Sequence, residues 1–395
     1  MDETIMRAPE RPLRILTLCY EYPPVGGGGG AVAKSVAERL AARGHAIRVI
    51  TGGMRRLPRR ETSHGVEICR TLPSRRHADR CTVPEMAAYL LLALLPALRQ
   101  IATWRPDVIH AHFAVPTGAL AFAVSRFRNV PYVITVHLGD GPGGCAEQTA
   151  GLVRWIKPWT VPIWEGAGGI SAVSEHVREL ATKAYGVPVQ TILNGIAPTG
   201  ICATPVAVHD PLHLVFAGRF VSQKNLPLLI DALSRVAAAP WRATLIGDGP
   251  LMNELRARID RAGLRERIAV PGWQERAAVD QIMSGADIFV LPSSAEGLPM
   301  AAVQALQHGL AIVGSDIGGL HDVIVNELNG FLVPAGDATA LAAKLQLLLD
   351  DRPLLLRMKT ASRARGELFD LDRITTQYEK LLRAAAATRL NAGAI

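Results

Sequence analysis

Short continuous apolar runs alternate with longer segments whose apolar residues recur every three or four positions, and this strand-then-helix alternation runs through nearly the whole chain. The first run is apolar at Leu13, Ile15, Leu16 and Leu18 and is closed by Pro23 and Pro24, the pattern of a β-strand. Five glycines follow at residues 26–30, then an amphipathic helix AVAKSVAERLAARG that Gly44 stops, then a second strand HAIRVITGG. Strand, glycine-rich turn, helix and strand make a βαβ opening, which predicts a doubly wound sheet with a ligand at its strand ends. Further strands are predicted at residues 107–112 and 132–136 and in GISAV, where Ser174 is the expected N-cap of the next helix. The second half repeats the pattern, with strands predicted at residues 213–217, 243–247, 268–270, 288–291 and 311–314. Helices such as NLPLLIDALSRVAAA lie between them, so a second parallel sheet covered on both faces is expected.

Length sets the domain count. A chain of 395 residues exceeds what one core usually holds, and the Pro-, Thr- and Ala-rich stretch at residues 197–211 reads as a linker. Residues 1–197 and 198–368 are therefore expected to form two α/β domains, with a final helix at residues 369–395. A hydrophobic content of 49% with 20% charged residues is that of a globular protein. Cys19, Cys69, Cys81, Cys145 and Cys202 are scattered and form no CxxC pair, so they read as reduced packing residues, neither a disulfide frame nor a zinc site. The opening MDETIMRAPERPLR lacks the apolar core of a signal peptide, and the apolar run at residues 86–98 is shorter than a membrane span and contains Pro96. A soluble, cytoplasmic protein is expected.

The net charge of +8 is uneven. Residues 1–197 carry 23 Lys and Arg against 15 Asp and Glu, whereas residues 198–395 carry 20 of each. Arg55, Arg56, Arg59, Arg60, Arg70, Arg75, Arg76 and Arg80 concentrate the excess in a connection just before the apolar segment VPEMAAYLLLALLPALRQI. A basic patch beside an apolar helix can contact an anionic bilayer or an acidic acceptor, placing the protein peripherally at the inner face of a membrane. The ordinary alternative is a solvated loop and a helix packed on a sheet. No nucleic-acid binding is expected, because the basic excess has no interleaved aromatic surface. Trp155, Trp159 and Trp164, spaced for one broad helix face, read as core.

Candidate chemistry gathers at strand ends. The run ADIFVLP feeds SSAEGLPMAAVQALQHG, so a Ser- and Gly-containing loop opens a helix and presents backbone N–H groups and a positive dipole end to an anion, with Glu296 at the same spot. For Glu296 alone, helix capping would be the ordinary role. Upstream, in HLVFAGRFVSQKN, Arg219 and Lys224 follow another strand, and a planar fork with a point charge suits a diphosphate. His137 ends the strand at residues 132–136 and is followed by Gly139 and Asp140. His110 and His112 are candidate acceptor-side residues, while no spacing supports a metal site; Asp370 and Asp372, the one D-x-D, open the last helix and read as capping.

The order GRF, QKN, GDGP and EGLP at long spacings resembles the nucleotide-sugar-binding domain of retaining glycosyltransferases of the GT-B fold, in particular glycosyltransferase family 4, over nearly the whole chain. That resemblance implies two Rossmann-like domains facing a central cleft, an acceptor-binding first domain, a donor-binding second domain and a last helix that crosses back to the first. It implies transfer of a sugar, with retention and without metal or other cofactor, from a UDP- or GDP-sugar to an acceptor sugar, lipid-linked sugar or small molecule. Arg219 and Lys224 would neutralise the leaving diphosphate, while Glu296 and His137 would contact the sugar. Gly28 and Gly29 would approach the donor, as would Gly247, Asp248 and Gly249 and the loop of Gly297, Leu298 and Pro299. One position departs from the pattern: the second Glu of the family's E-x7-E is Gln304 here, which keeps an acceptor and loses the charge. A sugar-nucleotide epimerase on the same fold and a non-catalytic transferase-like subunit are the rival readings.

Overall fold

The computed structural model describes residues 11–78, 81–140, 150–197 and 206–392, which form two compact units. The first unit holds an eight-stranded sheet in the order β3-β4-β2-β1-β5-β6-β7-β8. Its strands are β1 (Arg14–Leu18), β2 (Ala46–Met54), β3 (Arg60–Ser63), β4 (Val66–Arg75), β5 (Val108–His112), β6 (Tyr132–Val136), β7 (Gly169–Ala172) and β8 (Gln190–Thr191). All neighbours are parallel except β3 and β4. Strands β5 and β6 are buried at every residue, as expected of a sheet with helices on both faces. After β1 the chain moves outward to β2 and β4, then returns to lay β5 on the other side of β1, so the crevice between β1 and β5 is a topological switch point.

The second unit holds a six-stranded, wholly parallel sheet in the order β11-β10-β9-β12-β13-β14. Its strands are β9 (Leu212–Ala217), β10 (Trp241–Ile246), β11 (Ile268–Gly272), β12 (Ile288–Leu291), β13 (Ala311–Ser315) and β14 (Gly330–Val333). The switch point falls between β9 and β12, which pair only at Ile288–Leu214 and Phe289–Val215 and then part toward their carboxyl ends. Helices of regular amphipathic pattern cover both faces, among them α6 (Leu226–Arg235), α8 (Arg276–Ser284), α9 (Met300–Gln307) and α11 (Ala338–Asp350), the last capped by Asp337 accepting from the N–H of Thr339 and Ala340.

Several expectations change. The Arg-rich connection is not a loop: residues 60–75 form the hairpin β3–β4, and two of its arginines are buried. Arg70 donates to Glu61 at 2.8 Å and to the carbonyl of Pro58 at 3.1 Å. Arg75 lies 3.7 Å from Glu21. Helix α1 (Gly28–Ala42) starts inside the glycine run, not after it. The apolar run at 86–98 extends into α2 (Val83–Thr103), whose 21 residues are long and apolar enough to cross a membrane by length and composition, Pro96 included. One stripe of it, Tyr89, Ala93, Ala97 and Ile101, is nevertheless buried in the first unit. The tryptophans divide: Trp164 is buried and stacks on Tyr185 at 4.1 Å, Trp159 is 79% exposed, and the Trp155 side chain lies outside the described residues, as do Arg80, Cys145 and Cys202. Strand β14 was not foreseen.

The last helix, α13 (Leu371–Ala392), is capped by Asp370, which accepts from the N–H of Arg373 at 2.9 Å. From Thr375 onward it belongs to the first unit. There Glu379 meets His45 and Arg43, each at 3.1 Å, and Tyr378 lies 5.5 Å from the ring of His110. In the second unit Ser174 accepts from the N–H of Val177 at 3.2 Å, the N-cap contact expected of it.

Candidate functional site

In the second unit four loops leave the carboxyl ends of β9, β10, β12 and β13 and make contacts with one another. The β9 loop makes a single tight turn at Ser222–Lys224 before Asn225, in the left-handed region at φ 47°, starts α6. Ser294 N–H donates to the carbonyl of Gln223 at 2.8 Å, and Gln223 Nε2 donates to the carbonyl of Ala295 at 2.6 Å, joining the β9 and β12 loops across the switch point. That junction delivers Lys224 Nζ to Glu296 Oε1 at 2.5 Å, with the two side chains 18% and 8% exposed. Two groups 72 residues apart thus form a largely desolvated charge pair at the place where ligands bind in such sheets.

Close backbone approach fixes the other two loops. A Cβ on Gly247, whose φ is +142°, would lie 1.9 Å from the carbonyl oxygen of Gly218, so only glycine lets the β10 loop seat against the β9 loop. Phe220 N–H then donates to Asp248 O at 2.8 Å, and Gly249 follows. A Cβ on Gly319, in the β13 loop, would lie 2.1 Å from the carbonyl oxygen of Glu296 and 2.7 Å from that of Gly297. Arg219 is exposed at the end of β9. Helix α9 opens at Pro299 with no side chain capping it and no acidic residue in its first turn, leaving the positive dipole end beside Gly297 and Leu298 to be met by an anion. Gln304, in the second turn of α9, donates its Nε2 to Asp280 Oδ1 at 2.7 Å, and His308 Nε2 meets the same oxygen at 2.9 Å. A carboxylate accepts only, so the amide nitrogen is the atom held there and the carbonyl oxygen of Gln304 keeps its acceptor capacity.

The first unit builds its own cluster at the β1–β5 switch point. A Cβ on Gly29, in the first turn of α1, would lie 2.4 Å from Phe113 Cζ and 3.2 Å from His137 Nδ1. Among the described residues nothing lies within 4 Å of a Cβ placed on Gly28. Phe113 sits at φ 75° and its ring centroid is 4.4 Å from that of His137. His137 is buried, and burial pushes its imidazole down to about 3, so the ring is neutral at physiological pH; Nε2 has no hydrogen-bond partner among the described residues. His110, also pushed down to about 3 by burial, is tied to Thr135 Oγ1 at 2.8 Å and serves the core. His112 is buried, with neither ring nitrogen bonded among the described residues. Among the described residues no three His, Cys, Asp or Glu side chains are grouped to hold a metal ion.

Asp140 and Phe113 are the members that sequence reasoning did not assign. Asp140 accepts from the N–H of His137 at 2.8 Å on one oxygen and from the N–H of Ala114 at 2.8 Å and Val115 at 3.5 Å on the other, tying the loop after β6 to the loop after β5. Burial raises its carboxyl to about 7 against the pull of those three amides. Because the folded value lies above the unfolded one, the folded state binds the extra proton. The associated stability is full below about pH 4 and is lost as pH rises through about 7. The difference in unfolding free energy between wild type and Asp140→Asn should therefore change across that window, by at most about 1.4 kcal/mol per pH unit, and be flat above pH 8. A difference that is the same at every pH would show that Asp140 does not titrate there.

Two doubly wound units, each with a switch point at the carboxyl ends of its strands, are the architecture of the GT-B fold. The family models agree: Glycosyltransferase Family 4 matches residues 26–199 and Glycosyl transferases group 1 matches residues 204–365, so the chain belongs to this family of GT-B glycosyltransferases. Among curated relatives, glycogen synthase of Mycobacterium tuberculosis is 27% identical over 94% of this chain and 95% of its own. The 2-deoxystreptamine glucosyltransferase of Streptomyces kanamyceticus is 25% identical over 82% and 90%. Among solved structures, sucrose-phosphate synthase of Thermosynechococcus elongatus superposes with a TM-score of 0.81 at 21% identity, covering 95% of this chain and all of the other. Anabaena HepE in complex with UDP and glucose gives 0.71 at 20% identity, covering 94% and 100%.

Proposed function

We propose that the chain is a retaining, metal-independent hexosyltransferase that moves a sugar from a UDP- or GDP-sugar to an acceptor hydroxyl, in the assembly of a bacterial polysaccharide, glycolipid or glycosylated metabolite. The observation that carries this reading is the Lys224–Glu296 pair at the β9–β12 switch point, beside the uncapped end of α9. When a donor enters, its diphosphate takes Lys224, Arg219 and the N–H groups at the start of α9. Glu296 is then released toward the sugar ring, where it accepts from hydroxyls and faces the positive charge that develops at the anomeric carbon. The anomeric C–O bond to the diphosphate breaks, the acceptor oxygen bonds to the same face of that carbon, and the acceptor proton passes to the departing phosphate oxygen. The two cations and the helix end supply the charge stabilisation that a divalent ion gives elsewhere.

His137, neutral and with Nε2 unbonded among the described residues, is assigned to a sugar hydroxyl, with Gly28 and Gly29 shaping the adjoining backbone. Gln304 is assigned to the ribose through its carbonyl oxygen, its amide nitrogen being held by Asp280. Support for a nucleoside diphosphate sugar as co-substrate comes from HepE, which has been solved with UDP-glucose.

The test is a screen of purified protein against UDP-, GDP- and ADP-sugars, following release of the nucleoside diphosphate, with Glu296→Ala alongside. Release from one donor by wild type, reduced about 10²-fold or more in the variant, is expected. Calorimetry with UDP, GDP and ADP separates the rivals: absence of any nucleotide binding would sink the reading in favour of a non-catalytic subunit. Conversion of the donor sugar without release would favour an epimerase.

A further inference from the structure

Helix α2 has two apolar faces, and the described residues cover only one of them. Tyr89, Ala93, Ala97 and Ile101 pack inward, while Val83, Leu91 and Leu95 are 52%, 75% and 76% exposed. With Ala87 between them, these residues recur every four positions and form one continuous outward stripe that ends in exposed Arg99. A helix at the surface of a water-soluble unit ordinarily turns polar residues outward; here the outward stripe is as apolar as the inner one. Single exposed leucines need no explanation, whereas a stripe of them along a 21-residue helix marks an interaction surface.

The charges around the stripe say what covers it. Glu85 is the one acidic residue of α2, and its carboxylate is turned back on the helix start, accepting from Thr82 N–H at 2.7 Å and Arg76 N–H at 2.9 Å. Arg76 thereby lies at the amino end of α2. Arg55 follows Met54, which pairs in register with Arg75, so Arg55 and Arg56 lie at the same end of the sheet as Arg76. All three are exposed, and Arg99 and Arg105 are exposed at the carboxyl end of the helix. Arg70 and Arg75, buried against Glu61 and Glu21, take no part. An apolar stripe with cations at both ends and its own carboxylate tied off is complementary to an anionic bilayer, into which leucines insert while arginines meet headgroups. Because the opposite face of α2 is buried in protein, the helix cannot leave the unit to span a membrane.

We propose that the outward face of α2 docks the first unit on an anionic lipid surface, with α2 lying in the plane of the interface. This inference stands apart from the donor chemistry, and its test contains no nucleotide. Full-length protein is sedimented with vesicles of phosphatidylcholine alone and of phosphatidylcholine mixed with phosphatidylglycerol, at low and high salt. Expected is partition onto the anionic vesicles, weakened by salt, and weakened about tenfold or more by either Leu91→Ser with Leu95→Ser or Arg55→Glu with Arg56→Glu. Matching thermal midpoints by circular dichroism establish that the variants fold. Three results would overturn the inference. One is no partition onto anionic vesicles; another is partition that both double variants leave unchanged. The third is light scattering that shows a dimer which Leu91→Ser with Leu95→Ser dissolves, since the stripe would then be covered by a second copy of the chain.

Discussion

Lys224→Met is expected to lower nucleotide-sugar turnover by about 10²–10³-fold, the usual effect of removing one well-placed charge from a transition state. The pair with Glu296 makes the experiment more informative than a simple knockout. With both side chains largely buried, removing the lysine leaves Glu296 without its partner, and a stability loss of about 1–3 kcal/mol follows. Adding Glu296→Gln removes the stranded charge, so the double variant should regain part of the thermal midpoint. It should not regain turnover, because both groups proposed to act on the donor are then gone. Stability and activity are thereby separated: if Lys224→Met kept turnover within about threefold of wild type while losing stability, the pair would be a structural ion pair and the donor site would lie elsewhere.

Strand ends were legible because each apolar run in the second half stops abruptly at polar residues, which is how Arg219, Lys224 and Glu296 stood out. What joins them was not. Lys224 and Glu296 are 72 residues apart, and their meeting depends on β9 and β12 being neighbours at the switch point, a property of strand order that local pattern does not contain. Phe113 was invisible for a similar reason: its place beside Gly29 and His137 follows from a left-handed backbone at a strand end and from β5 lying next to β1.

Where the sequence misled, composition had been read without parity. Val66, Ile68 and Arg70 alternate with Glu67 and Cys69, and all three of the first set are buried, so Arg70 occupies an inward strand position that a period of two would have exposed. His64 and Gly65, both at positive φ, are the turn of the hairpin. Counting arginines as surface charge concealed both. The glycine run misled in the opposite direction. Glycine is a poor helix former, so the helix was expected to begin after residue 30. The packing of Gly29 against Phe113 and His137 and of Gly30 against the carbonyl of Glu21 instead draws the first turn of α1 into the run.

Gly319→Ala tests the same proposed donor site through backbone alone, and a loss of about 10²-fold in turnover is expected from it. The added methyl would lie 2.1 Å from the carbonyl oxygen of Glu296, well inside any contact a real side chain makes, so one of the two loops must yield by about 1 Å. The β13 loop cannot retreat freely, since Leu320 behind it is fully buried in the core of the second unit. The Glu296–Gly297 peptide therefore moves, carrying with it the carboxylate that Lys224 holds and the entry to α9. Nothing charged is removed and no side chain that could touch a donor is altered. A loss of turnover with a modest change in thermal midpoint would thus report on the placement of Glu296 itself. Gly285→Ala is the control: its nearest atom would be 3.9 Å away, in ordinary contact, and turnover should be that of wild type. Equal turnover in Gly319→Ala and the control would mean that the position of Glu296 is not what the reaction depends on.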